Sequence, residues 1–249
     1  ILAAGRGSRL KPFTQDKPKC LTELQGKPLI LRQVDVMRQC GLNDICIVTG
    51  YRREDLDLEG VREVHNSEWE HTNMVESLFC ASKWFTDDII VAYSDIVYNA
   101  NILNSLLSSS QDISVVIDKK WESYWKARFD DPLSDAESLR VGQDGGILDI
   151  GRRVQSLEEI EGQYIGLMRF QGAGVKSLTD FKKKLGKIPR PWMHKRSIEN
   201  AYMTDLLMEI ILHGIRIEPV SIDGGWLEID TANDLALAHD LFSNDIVRR

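Results

Sequence analysis

Leu2-Ala3-Ala4-Gly5-Arg6-Gly7-Ser8-Arg9-Leu10, continued by Lys11-Pro12-Phe13-Thr14 and then Lys17-Pro18-Lys19, is the stretch that decides how this chain folds. It runs from an apolar strand end into a turn set by two glycines and then into a cluster of cations. Without Cβ atoms, Gly5 and Gly7 let successive backbone N–H groups converge on phosphate oxygens, while neighbouring cations neutralise the remaining charge. Arg9 offers a planar fork for bidentate bonds to a pyrophosphate, and Lys19 a compact point charge. The opening residues read as the end of a strand whose start is expected upstream of Ile1.

Two better-known glycine loops do not fit. A Walker loop requires GxxxxGK[ST], and the chain has none here. A dinucleotide fingerprint requires a third glycine or alanine where Leu10 stands, with an acidic residue closing a second strand about 20 residues on. The turn therefore belongs to a different kind of phosphate loop.

Outward from this loop, short β-like runs alternate with helix-like ones. Strands are expected at 44 to 50, 61 to 65, 89 to 93 and 113 to 118, and helices at 28 to 40, 74 to 85 and 101 to 109. Such alternation predicts an α/β fold with a mainly parallel sheet covered by helices on both faces. From Trp121 to Gly162 the pattern loosens, with Asp130-Asp131-Pro132 and a hairpin turn at Gln143-Asp144-Gly145-Gly146, and reads as an insertion or lid. Regularity returns with a strand at 164 to 170, helices at 173 to 185 and 197 to 213, a strand at 215 to 222 and a closing helix at 231 to 242. The expectation is one domain over 1 to 249, with 121 to 162 inserted.

The order GxGSRL, KPFT and a PK pair resembles the nucleotide-binding segment of the sugar-phosphate and phosphocholine nucleotidylyltransferases. That resemblance implies a Rossmann-like, mixed but mainly parallel sheet of the glycosyltransferase-A type. It implies that Leu2, Ala3, Ala4, Gly5, Gly7, Ser8 and Arg9 seat the nucleotide, with Lys19 and Arg9 as catalytic cations. The family also carries one metal-binding Asp after a central strand and another in a late WxEID-like segment. Asp95, after the apolar run Ile89-Ile90-Val91-Ala92-Tyr93, and Asp230, in Trp226-Leu227-Glu228-Ile229-Asp230-Thr231, match them.

Joining two anionic molecules calls for a divalent cation to offset their repulsion, and hard magnesium prefers carboxylates, so Mg2+ held by Asp95 and Asp230 is expected. Each acid also has an ordinary structural reading. Asp95 suits a surface turn, and the Asp230-Thr231 segment suits a helix cap, since Thr231 and Asp234 have capping-box spacing. Asn73 likewise reads as an N-cap with Glu76 three residues on. The resemblance places Asn73 and Ser77 near the nucleobase and ribose, with Thr72 and Ser94 as supporting polar groups.

A narrower resemblance lies in Asp131-Pro132-Leu133-Ser134-Asp135-Ala136-Glu137, Gly162-Gln163-Tyr164-Ile165-Gly166-Leu167 and Met203-Thr204-Asp205-Leu206-Leu207. These segments are similar to those of members that activate phosphocholine, aminoethylphosphonate and related amine-bearing compounds. They imply CTP as nucleotide and a small phosphoryl or phosphonyl acceptor as partner. For an ammonium-bearing acceptor, Trp121, Tyr124 and Trp125 offer aromatic faces, Asp130, Asp131 and Asp135 offer opposite charge, and Arg128, Lys126 and Tyr164 are further substrate candidates. Core packing is the competing reading for the aromatic residues.

Composition narrows the classes. With 38 acidic against 31 basic residues and a formal charge of -7, a nucleic-acid surface is not expected, because such surfaces are built from clustered Lys and Arg. No apolar run reaches the roughly 20 residues of a membrane span. Four scattered cysteines, Cys20, Cys40, Cys46 and Cys80, with no CxxC pair fit reduced thiols in a cytoplasmic protein. The five histidines, His194 among them, lack ligand spacing, and Arg248 and Arg249 read as solvated charge.

The reaction expected is Mg-dependent cytidylyl transfer with release of pyrophosphate. Competing readings are a sugar-1-phosphate nucleotidylyltransferase, a CTP-sensing binding module, and a glycosyltransferase of the same fold. The last would show a compact DxD motif, and Ser94-Asp95-Ile96 lacks the second acid.

Overall fold

The computed structural model describes residues 1 to 184 and 196 to 243. Position 185 of the helix expected over 173 to 185, His194, Arg248 and Arg249 lie outside them. In chain order the elements are β1 (Leu2–Ala3), β2 (Glu23–Leu24), β3 (Lys27–Pro28), α1 (Leu29–Gln39), β4 (Ile45–Thr49), β5 (Val61–His65), α2 (Met74–Cys80), β6 (Asp88–Ala92), β7 (Ile96–Tyr98) and α3 (Ala100–Leu107). There follow β8 (Ile113–Asp118), α4 (Trp121–Arg128), β9 (Glu137–Val141), β10 (Ile147–Arg153), β11 (Gln163–Gln171), α5 (Ala173–Lys184), α6 (Met203–Leu212), β12 (Glu218–Ile222), β13 (Trp226–Glu228) and α7 (Ala232–Ser243).

The central sheet has two parts. Strands β1, β4 and β5 are parallel, in the order β1-β4-β5. The other part runs β12-β8-β11-β6, with β12 and β8 parallel and β11 antiparallel to both its neighbours. A parallel bridge between Leu2 and Tyr93 joins them through β1 and β6. The fold is thus mixed α/β with a largely parallel frame, as expected.

Side-chain alternation along the strands explains why helices cover both faces. On β8, Ile113, Val115 and Ile117 pack with Val75, Phe79, Leu178 and Leu206, from α2, α5 and α6. Val116 of the same strand faces the other way, with Val34, Leu103 and Trp121, from α1, α3 and α4. The 121–162 stretch contributes to the first of these cores, because Leu139, Ile147 and Ile150 of the antiparallel pair β9–β10 are buried in it.

Three expected elements break or start later than the sequence suggests. The helix over 74 to 85 breaks after Cys80 into a 3-10 turn, Ser82–Trp84. The helix over 197 to 213 splits into a 3-10 turn at Ile198–Asn200 and α6, because Asp205 reaches back to the Tyr202 backbone N–H at 2.8 Å and starts the helix there. The strand over 215 to 222 begins only at Glu218. Among the described residues no helix is long and apolar enough to cross a membrane.

Candidate active site

The loop after β1 is pinned at both ends. Gly7 has φ +68, a left-handed conformation that glycine adopts without strain. Its carbonyl accepts from the Leu10 N–H at 3.0 Å and the Thr14 hydroxyl at 2.7 Å. Leu10 is fully buried with Leu24, Leu29, Val97, Ile229 and Leu235. One apolar plug therefore ties the glycine loop to the segment that carries Asp230. A second constraint comes from Lys19: a Cβ on Gly7 would lie 2.7 Å from the Lys19 Cβ.

Two acids distant in sequence meet because β7 and β13 pair antiparallel, with Ile96 opposite Glu228 and Tyr98 opposite Trp226. Asp95 directly precedes β7 and Asp230 closely follows β13, and the Ile229 N–H donates to the Asp95 carbonyl at 2.9 Å. The Lys19 ammonium donates to Asp95 Oδ2 at 2.7 Å and also to Asp230 Oδ1. The Arg9 guanidinium pairs with the other oxygen of Asp230.

Burial opposes charge on Lys19, but the Asp95 and Asp230 carboxylates more than compensate and hold its pKa above the ordinary lysine range. Asp230 is pulled the other way. Burial raises its pKa, yet Lys19, then Arg9 and Arg128, keep it below the usual carboxylate range. Asp95 Oδ1 is buried without a hydrogen-bond partner. An anionic oxygen left so can take a hard cation, and a site of two carboxylates is what a magnesium ion commonly uses when substrate phosphates and water complete its shell. Among the described residues no cluster of three or more His, Cys, Asp or Glu side chains is arranged to hold a metal.

Around this centre lies a cavity of about 270 Å³. Of the residues expected to seat a nucleotide, Leu2, Ala4, Gly5, Gly7, Ser8, Arg9, Asn73, Ser77 and Ser94 line it, together with Lys19, Asp95 and Asp230. Ala3 does not; the strand's alternation turns it into the core, 3% exposed. The Asn73 side-chain oxygen caps α2 by accepting from the Met74 N–H at 2.8 Å. Buried Asn66 donates to Thr72 Oγ1 at 2.9 Å and Ser77 Oγ at 3.1 Å, which fixes both hydroxyls. Trp69, Met74, Tyr93 and Tyr202 also line this cavity and went unnoticed in the sequence.

A second cavity of about 740 Å³ abuts the first, sharing Arg9, Met74, Tyr93, Tyr202 and Asp230 with it. Of the expected acceptor residues, Trp125, Asp135 and Tyr164 line it. Trp121 does not, being 4% exposed and packed edge-on to Trp125. Tyr124 braces β13 instead: its hydroxyl donates to the Glu228 carbonyl at 3.2 Å and accepts from the Glu228 N–H at 2.9 Å.

The expectation for Arg128 is corrected most sharply. Its side chain, 1% exposed, is bound by Asp234 at 2.8 Å and Glu228 at 2.6 Å. Asp234 in turn accepts from the backbone N–H groups of Asp230 at 3.1 Å and Thr231 at 2.8 Å. Arg128 thus holds the Asp230 segment in place rather than reaching a ligand. Lys126 pairs with Glu122 on the surface at 2.5 Å.

Open α/β sheets bind nucleotides in the crevice at the carboxyl ends of their strands. Here that crevice combines a glycine loop, a buried cation and two converging carboxylates, the arrangement of a nucleotidyltransferase. The family described as the MobA-like NTP transferase domain matches residues 1–153, and the chain belongs to it. It is 36% identical over 248 residues to the CTP:phosphoglutamine cytidylyltransferase of Campylobacter jejuni, across 94% of this chain and 96% of that one. To the choline-phosphate cytidylyltransferase of Streptococcus pneumoniae it is 33% identical over 114 residues, 44% of this chain and 50% of that protein. The solved structure of the CTP:phosphocholine cytidylyltransferase from Streptococcus pneumoniae shares the fold, with a TM-score of 0.73 over 97% of each chain at 21% identity.

Proposed function

We propose that this nucleotidyltransferase moves a cytidylyl group from CTP to a small phosphorylated or phosphonylated, amine-bearing acceptor, releasing pyrophosphate, with Mg2+ as its metal. The observation that carries the proposal is the Lys19 ammonium shared by Asp95 and Asp230 under the glycine loop. The names of the Campylobacter jejuni and Streptococcus pneumoniae relatives support CTP and a phosphorylated acceptor.

In this scheme the Gly5 to Arg9 loop binds the triphosphate. The abutting cavity takes the acceptor, whose phosphoryl end lies toward Arg9 and Asp230, the residues common to both cavities. An acceptor oxygen forms a bond to the α-phosphorus while the bond to the bridging oxygen of the pyrophosphate breaks, and that oxygen leaves with the electron pair. A phosphate monoester is largely dianionic at neutral pH, so the attacking oxygen needs no general base. Lys19, kept protonated by its two carboxylates, neutralises the charge that grows on the α-phosphoryl oxygens. Asp95 and Asp230 would hold the metal, which would supply charge neutralisation across the two anionic reactants.

The test is pyrophosphate release with CTP, UTP, dTTP and ATP against a panel of amine phosphates, amine phosphonates and sugar 1-phosphates. Turnover with CTP and an amine-bearing acceptor is expected. Turnover confined to sugar 1-phosphates, or to another nucleotide, would overturn the assignment.

A further inference from the structure

Two physical routes recognise an ammonium: aromatic faces, which suit a quaternary trimethylammonium, and carboxylates, which suit an ammonium with N–H groups to donate. In the larger cavity the first route is largely taken by the protein itself. The Arg128 guanidinium carbon lies 5.0 Å from the ring centre of Trp125, and Tyr164 packs edge-on to Tyr93 with ring centres 5.8 Å apart. Arg196 covers Tyr202 at 3.8 Å. Tyr93 rests against Gly166, where a Cβ would come within 2.5 Å of the ring.

The second route is open. Asp135, which closes the 3-10 turn Pro132–Ser134, and Glu137, which opens β9, both line the same cavity. Burial pushes the Glu137 carboxyl up to about 8, with Asp135 and Asp205 adding to the shift and Arg196 and the Thr204 hydroxyl opposing it. An ammonium bound there would add positive charge and N–H donors that Arg196 and Thr204 supply only in part. Trp125, 3% exposed, lines the cavity beside Asp135, and its indole N–H helps to hold the Asp135 carboxylate ionised without making a full hydrogen bond.

We propose that Glu137 and Asp135 read the acceptor's amine through its N–H groups, so that the enzyme selects primary ammonium acceptors over trimethylammonium ones. This rests on the cytidylyl-transfer reading for the placement of the acceptor. A primary ammonium brings three donors and a compact charge to the two carboxylates, whereas a trimethylammonium group brings no donor and meets ring faces already covered.

Calorimetric titration of the full chain, with Mg2+ and a non-hydrolysable CTP analogue present, would compare phosphoethanolamine, phosphocholine and amine-free ethyl phosphate. We expect phosphoethanolamine to bind at least about tenfold more tightly than either of the others, as charge-assisted hydrogen bonds warrant. Glu137→Gln, close in shape to the protonated acid, and Asp135→Asn should each erase most of that margin and leave ethyl phosphate binding unchanged. Phosphocholine binding as tightly as phosphoethanolamine, or ethyl phosphate weakening in step with phosphoethanolamine in the variants, would overturn the inference. Pyrophosphate release, followed separately, reports on the transfer reading: its absence despite the binding preference would sink that reading and leave the inference standing.

Discussion

At the scale of single residues, the two glycines of the first loop have different roles. Gly7 is left-handed and lies against Lys19, whereas a Cβ on Gly5 would meet nothing within 4 Å. Gly7→Ala should therefore displace Lys19 and lower turnover by at least about tenfold, the scale of a misplaced catalytic group. Gly5→Ala should leave the melting temperature of the free protein unchanged yet weaken CTP, because its Cβ would occupy space meant for phosphate. Melting curves and nucleotide titrations on both variants would check this contrast. Glu137 gives a pH prediction with a definite sign. Its carboxyl rises from 4.5 to about 8 in the fold, so the native state holds that proton more tightly than the unfolded chain does. Its contribution to stability is complete below pH 4.5 and is lost as pH climbs through 8. Glu137→Gln should flatten that part of the fall in melting temperature across the same range; an unchanged slope would contradict the burial argument.

At the scale of elements, the antiparallel pair β7–β13 makes the site, and α4 keeps it in register. Arg128→Met should leave Asp234 and Glu228 buried without their cation, at a cost of ~3–5 kcal/mol as for other broken buried pairs. Chemical denaturation would measure it. Activity should fall as well, because Asp234 orients the Asp230 backbone. A stable, fully active variant would show that Arg128 is not the brace proposed here. The position of Arg128 was not legible in the sequence. A basic residue beside aromatic ones, in a region of loose pattern, suggests a binding surface, and only the fold reveals that Asp234 and Glu228, 106 and 100 positions away, meet it. The same holds for Trp121 and Tyr124, whose aromatic character speaks equally for packing and for recognition. In contrast, Gly7, Lys19, Asp95 and Asp230 were singled out through the resemblance carried by the first loop and the WxEID-like segment, and the fold brings all four to one cavity.

At the scale of the whole molecule, the alternation of strands and helices gave the layered α/β plan, since burial on both faces demands near-continuous apolar strands. It left open that β11 runs antiparallel between β6 and β8, because a central antiparallel strand is as apolar as a parallel one. The hairpin β9–β10 was likewise underestimated: its inward residues Leu139, Ile147 and Ile150 belong to a core shared with α2, α5 and α6. This architecture brings the first loop, the middle of the chain and its last strand to one cation, and the account depends on that convergence. The most direct test is pyrophosphate release from CTP and phosphoethanolamine by wild type, Lys19→Met, Asp95→Asn and Asp230→Asn, each with Mg2+ and with the ion removed by chelation. We predict rapid release only for the wild type with Mg2+, and a loss of about 100-fold or more in each variant, the size expected when a well-placed charge is removed. Release that persists undiminished in the variants, or that ignores chelation, would contradict the account.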